Sequence, residues 1–151
     1  MTGAVGTCHT VVWTPTDGAT WSGVAWQYPA NNWGTMGGGL AIPAGATKIT
    51  FYAKGALGTE TVAFSAGFVG TAACADPVSA TTGAPITLTT TWTQYSMPLT
   101  NPTGGAVAWP DGMVNAFTYV VTPSAGVGGD AGGDAGADSE TFYIDDIQWV
   151  M

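Results

Sequence analysis

The sequence contains 151 residues and carries a formal net charge of −8, from two lysines, no arginine and ten acidic residues. So few cations cannot neutralise phosphates, which excludes nucleic acid as a partner and makes anionic membranes poor ones. No apolar run reaches the roughly 18 residues that a membrane-spanning helix needs, so we expect no membrane insertion. The length predicts a single domain over residues 1–151.

Alternating apolar and polar residues predict β-strands along most of the chain. In chain order, strands are expected at "TCHTVVW", "WSGVAWQY", "TKITFYAK", "TETVAFSAG", "QYSMPL", "VNAFTYVV" and "ETFYIDDIQWV". Gly or Pro interrupts nearly every junction between them, as in "IPAG", "AKGALG" and "WPDG". The pattern predicts an all-β fold, an antiparallel two-sheet β-sandwich of the jelly-roll type.

The alternation also predicts which side chains face the core, because successive residues of a strand point to opposite sides. One face of each strand collects the large apolar residues. The predicted core positions are Val24, Trp26, Tyr28, Ile49, Phe51, Ala53, Val62, Phe64, Ala66, Tyr95, Met97, Leu99, Phe117, Tyr119 and Val121.

One stretch, residues 125–138, breaks this rhythm with the sequence "AGVGGDAGGDAGAD". Such a composition cannot bury enough surface to offset the entropy of ordering it, so we predict a flexible loop. Asp130, Asp134 and Asp138 recur every four residues. The known nonapeptide calcium repeat has a period of nine, and calcium binding by this loop is therefore not favoured.

Cys8 and Cys74 show neither a CxxC spacing nor a pattern of partner histidines, so a zinc or thioredoxin-type site has little support. A disulfide between them is the favoured interpretation, with two buried free thiols as the alternative. A disulfide and the acidic, lysine-poor composition agree with a secreted or cell-surface protein. We expect its signal peptide to lie outside this sequence.

The residues available for catalysis are few. His9 is the only histidine, and a lone histidine in a strand is more often a packed or surface residue than a catalyst. No serine lies in a GxSxG elbow, and no phosphate-binding glycine motif is present. Glu60 and Glu140 are the only glutamates from which a glycosidase carboxylate pair could be built. The favoured prediction is a protein that is not an enzyme, with a small jelly-roll glycoside hydrolase as an alternative.

The aromatic residues are more informative than the acidic ones. In "WSGVAWQY", the outward face carries Trp21, Gly23, Ala25 and Gln27, whose small residues predict a shallow groove. A sugar ring has an apolar face and a rim of hydroxyls, so proteins bind it with aromatic platforms and planar hydrogen-bonding groups. The predicted ligand-binding residues are Trp21, Gln27, Asn31, Asn32, Trp33 and, with weaker support, Trp109. The alternative is that Trp33 covers one end of the core.

Four blocks resemble the strands of jelly-roll carbohydrate-binding modules of the family four and nine type. They are "WSGVAWQYPANNWG", "GATKITFYAKGALGTETVAFSAG", "ITLTTTWTQYSMPL" and "ETFYIDDIQWV". The resemblance implies non-catalytic binding of a β-glucan or a related polysaccharide or oligosaccharide. It also implies either attachment to a secreted glycoside hydrolase in a longer protein or a position on a cell surface. A structural or adhesive surface domain, whose aromatic residues contact protein, is the alternative from another class.

The same resemblance implies one structural calcium ion near the terminal strands. Asp145 or Asp146 of "YIDDI" would bind it, with Glu60 or Asp17 and backbone carbonyls of the first strand completing the six to eight oxygen ligands that calcium prefers. For Glu60 the alternative is pairing with Lys54. The alternative is that the two adjacent aspartates lie at an edge and bind nothing.

Overall fold

The computed structural model describes residues 7–15, 19–36, 38–67, 76, 78–100, 112–123 and 139–151. Within these ranges the regular structure consists of β-strands. Their bounds are β1 (His9–Trp13), β2 (Ser22–Gln27), β3 (Lys48–Gly55), β4 (Thr61–Gly67), β5 (Ser79–Thr81), β6 (Ile86–Thr87), β7 (Thr93–Thr100), β8 (Asn115–Thr122) and β9 (Glu140–Val150). The loop predicted at 125–138 lies outside the described residues.

All the strand pairings described are antiparallel, and they follow the order β1-β9-β3-β7-β5-β4-β8-β2, with β6 paired to β4. The all-β antiparallel prediction is therefore confirmed. The division into two separate sheets is not confirmed, because the short strand β5 pairs with both β4 and β7 and so joins the two halves. In the parts of the chain with assigned positions, no helix is long and apolar enough to cross a membrane.

The core forms where the β3 side of this sheet packs against the β4 and β8 side. The Phe51 ring centroid lies 4.5 Å from that of Phe64 and 5.2 Å from that of Phe117. Aromatic pairs at such separations and tilts add packing energy to the burial of their surface. The predicted core faces of β3, β4 and β8 are buried, which confirms the alternation argument for these strands.

The prediction for β2 is only partly correct. Trp26 packs against the core, with its ring centroid 5.6 Å from both Phe117 and Tyr119. Val24 and Tyr28 were predicted to be buried, but both are exposed. The physical reason is that β2 is the last of the described strands in the sheet order and pairs with β8 alone among them, so its side chains are flanked on one side only.

Candidate functional site

The outward faces of β2, β8 and β4 form a surface of small side chains. The register places Ala25 beside Thr118, and Thr118 beside Ser65. In the same way Gly23 lies beside Val120. Since these residues alternate with core positions on each strand, the small outward side chains leave a depression directly above a rigid aromatic core.

This depression is a groove with a cavity volume of about 400 Å³. The volume lies within the range of ordinary small-molecule sites, about 300–1,000 Å³. The described residues that line it are all uncharged, namely Trp21, Gly23, Val24, Ala25, Trp33, Ser65, Gly67, Asn115, Thr118 and Val120. We call this feature the tryptophan groove.

Two indole rings in this groove come from opposite ends of β2. Trp21 immediately precedes the strand, and Trp33 follows it after the turn at residues 28–32. Their side chains remain 62% and 66% exposed. Trp is highly buried on average in folded proteins, so two largely exposed indoles in one concave surface mark a candidate contact site.

The loop that carries Trp33 is organised by Asn32, which is fully buried. The Asn32 Oδ1 accepts hydrogen bonds from the backbone N–H groups of Gly34, Thr35 and Met36, at 3.0, 3.1 and 3.2 Å. Its Nδ2 donates to the Met36 carbonyl oxygen at 2.9 Å. Asn32 was predicted to contact a ligand; in the structure its side chain is buried, and its amide bonds to the backbone of the residues that follow Trp33.

We expect Asn32→Ala to weaken the loop, because the N–H groups of Gly34, Thr35 and Met36 would lose their acceptor. Only the bond from Gly34 is buried, and one unsatisfied buried donor costs on the order of 1–3 kcal/mol, so the free energy of unfolding should fall by about 2 kcal/mol. Chemical denaturation measures this loss. The control is Asn31→Ala at the exposed neighbouring residue, although Asn31 has a φ of 60°, which favours Asn or Gly and adds a small strain of its own.

The floor of the groove has a polar network that sequence reasoning missed. The Thr118 Oγ1 donates to the Asn115 Oδ1 at 2.7 Å, and the Asn115 Nδ2 donates to the Gly67 carbonyl at 2.8 Å. Behind it, the buried Asp76 carboxylate accepts from the Val114 backbone N–H at 2.6 Å. The alternation in β4 and β8 could have predicted that Ser65 and Thr118 face outward. It could not have predicted that these strands lie beside β2.

The aromatic core lies beneath the groove, on the other face of β8. Tyr119 lies between the outward residues Thr118 and Val120 and points inward, where its ring centroid is 5.2 Å from that of Phe142. Burial raises the pKa of the Tyr119 hydroxyl above its ordinary value. The phenol is therefore neutral at physiological pH and acts as part of the core.

Gln27 and Asn31, two of the other predicted ligand residues, do not line the groove. Gln27 lies where the β2–β8 register shifts, and its buried Nε2 has no hydrogen-bond partner within the described ranges. That register shift interrupts the strict alternation on which the prediction for Gln27 depended. Asn31 is exposed in the turn before Trp33. Trp109 lies outside the described residues.

The described calcium-ligand candidates, Glu60, Asp145 and Asp146, form no metal-binding group. Glu60 is buried, and its carboxylate accepts hydrogen bonds from the backbone N–H groups of Leu57, Gly58 and Thr59 at 2.7, 2.8 and 3.0 Å. These donors satisfy the carboxylate in the way that a cation otherwise would.

Asp145 and Asp146 lie at a register shift between β9 and β3, and the Asp145 Oδ1 accepts from the Asp146 N–H at 2.8 Å. Asp17 lies outside the described residues. Among those that are described, no group of three or more His, Cys, Asp or Glu side chains is placed to hold a metal ion. The described residues therefore do not fit a calcium shell.

Calcium binding is implied by the sequence resemblance alone, and a thermal melt tests whether the protein binds calcium. A bound ion stabilises the folded state by mass action, so if the protein binds calcium, EDTA should lower the melting temperature and excess calcium should restore it. A midpoint that stays unchanged under both treatments would remove calcium from the description of this protein.

The disulfide between Cys8 and Cys74 also stays a prediction. Cys8 is half-buried just before β1 and has no disulfide partner in the described part of the chain. Cys74 lies outside the described residues.

Comparisons with known proteins give little further information. No protein-family model matches the chain, and no curated protein matches it. A similar solved structure is that of a "putative glycoside hydrolase" from Bacteroides vulgatus ATCC 8482, which is 14% identical with a TM-score of 0.39. The match covers 70% of this chain and 52% of that one, so this chain spans about half of that protein's length.

Proposed function

We propose that this protein is a non-catalytic carbohydrate-binding module that holds a neutral glycan in the tryptophan groove. The observation that carries the proposal is the pair of exposed indoles, Trp21 and Trp33, in one groove with an uncharged lining. Aromatic faces suit the apolar C–H face of a pyranose ring. The hydroxyls of Ser65 and Thr118 lie in the same groove, where they can bond to sugar hydroxyls.

The chemistry of the lining favours a neutral ligand. The described groove residues provide no ammonium or guanidinium group to pair with a sugar acid, sulfate or phosphate. The protein also has a formal net charge of −8, which repels polyanions at low ionic strength. A neutral polysaccharide such as a β-glucan satisfies both conditions, and the resemblance to family four and nine modules supports the same class.

A binding assay on insoluble and soluble polysaccharides tests this proposal. The protein is mixed with cellulose, a mixed-linkage β-glucan, xylan and chitin, and the bound fraction and the released reducing sugar are measured together. We expect binding to at least one neutral glycan without release of reducing sugar. Sugar release would identify a glycoside hydrolase, and the absence of binding to every glycan would favour a structural or adhesive surface domain.

A further inference from the structure

A second aromatic cluster lies on the other half of the sheet, around Lys54. The Lys54 Nζ lies 4.8 Å from the Tyr143 ring centroid and 5.3 Å from that of Trp92. The two rings are themselves edge to face at 6.4 Å. Cations within about 6 Å of a ring centroid are attracted to its π face, so the two rings hold the ammonium group in place. We call Lys54, Trp92 and Tyr143 the lysine cluster.

The lysine cluster is on a different surface from the tryptophan groove. Tyr52 and Lys54 alternate with the buried residues Phe51 and Ala53 of β3, so they point away from the core. The register places Tyr143 of β9 beside Lys54, and Gln94 of β7 beside Tyr52. The groove is instead built on β2, β8 and β4.

The ammonium of Lys54 has no acidic partner among the residues whose positions are described. The nearest acidic position in the register is Asp145, beside Tyr52, and its Oδ1 accepts the Asp146 backbone N–H instead. With respect to the described residues, Lys54 thus keeps ammonium N–H donors available while two rings fix its position.

We propose that the lysine cluster binds the carboxylate of a single acidic sugar, a uronic acid borne on an otherwise neutral glycan. One cation can pair with one carboxylate, whereas the formal charge of −8 would repel a chain with a carboxylate on every residue. The exposed Gln94 amide and the partly exposed Tyr52 lie next to Lys54 on β3 and β7, where they can bond to the sugar hydroxyls. The proposal extends the proposed function to a second face and a second sugar class.

The test compares two oligosaccharides that differ only in the acid, a xylo-oligosaccharide with one glucuronic acid branch and the same oligosaccharide without it. Titrations are followed by calorimetry and by the NMR signal of the Trp92 indole N–H. We expect the branch to raise the affinity about fivefold at low salt, as for a charge-assisted contact at a partly exposed site. The gain should shrink in 0.5 M NaCl, because salt screens an exposed ion pair.

The key variant is Lys54→Met, which keeps an apolar chain of similar length and removes the charge. Its control is Lys48→Met at the other lysine, which is exposed on the same strand. We expect Lys54→Met to abolish the preference for the acidic branch and Lys48→Met to retain it. Equal affinities of the wild type for the two oligosaccharides, or an unchanged preference in Lys54→Met, would overturn the proposal.

The NMR measurement on the wild type tests the proposal even if Lys54→Met does not fold. The Trp92 indole signal should shift with the acidic oligosaccharide and not with the neutral one, and the absence of a selective shift would count against the proposal. Trp33→Ala separates the two sites, because it should weaken the neutral contact and leave the Trp92 shift in place. Failure of the tryptophan groove and failure of the lysine cluster are therefore distinguishable.

Discussion

Replacing Trp33 with alanine should weaken glycan binding roughly tenfold or more and leave the melting temperature close to that of the wild type. An aromatic anchor in a binding site contributes on the order of 1–3 kcal/mol, and a factor of ten corresponds to about 1.4 kcal/mol. The Trp33 side chain is 66% exposed, so its loss removes little buried surface and leaves no core cavity. Calorimetric titration with the preferred glycan, beside a thermal melt of the same sample, measures both quantities.

Trp26→Ala is the matched control, since it removes the same side chain from the core-facing side of the neighbouring strand. Truncating a tryptophan that packs against the core typically costs about 3–5 kcal/mol, through lost burial and a cavity. We expect Trp26→Ala to lower the melting temperature, and its folded fraction to bind the glycan normally, which is the opposite of the result expected for Trp33→Ala. If Trp33→Ala melts early while its folded fraction binds normally, the ring is a packing residue and the groove loses its main support.

Salt provides a second check on the tryptophan groove. Because the described lining is uncharged, affinity for a neutral glycan should be nearly constant between low and physiological ionic strength. A steep fall with added salt would show that charged groups make the contact.

The strands could be predicted from alternation because burial on one face imposes a period of two on the sequence. The predicted core faces are buried where a strand has neighbours on both sides, as for Phe64 of β4 and Phe117 of β8. Val24 is exposed although it lies on the predicted core face, because alternation specifies a face but not whether the strand is flanked on both sides. The position of β2 at the end of the sheet order is a property of the whole fold.

For the tryptophan groove, too, the sequence predicts some of the lining residues and not others. Alternation placed Trp21, Gly23 and Ala25 on one face, and all three line the groove in the structure. Ser65 and Thr118 come from strands distant in sequence, and only the register brings them beside Ala25. The composition of the loop predicted that Asn32 forms hydrogen bonds. It could not predict that the amide of Asn32 bonds to the backbone of its own loop.

Glu60 illustrates why a buried carboxylate misleads a sequence argument. The family resemblance implied a calcium ion as the partner of Glu60, and a buried charge does need a partner, because burying it alone is costly. The partners are three successive backbone N–H groups, and backbone donors are present at nearly every residue, so the sequence cannot single them out. Gly55 completes the arrangement, since a methyl group at that position would overlap the Glu60 carboxylate.

Glu60→Ala should therefore be among the most destabilising single substitutions, lowering the free energy of unfolding by about 3–5 kcal/mol. Hydrogen bonds to a charged group are worth about 1.5–3 kcal/mol each, and the substitution leaves the N–H groups of the turn without their acceptor. Whole domains are stable by only about 5–15 kcal/mol, so such a loss should lower the urea midpoint clearly. We expect Glu60→Gln to lose less, because it retains one carbonyl acceptor.

Leu57→Ala is the control for this substitution, as its side chain is 68% exposed in the same turn and its backbone N–H still donates to Glu60. We expect a change of less than about 1 kcal/mol there, as for most surface substitutions. If Glu60 acts through the backbone, the deficit of Glu60→Ala relative to the wild type should be the same in EDTA as in calcium. If the difference in unfolding free energy between Glu60→Ala and the wild type disappears in EDTA, Glu60 stabilises the fold by binding the ion. Glu60 would then be a calcium ligand.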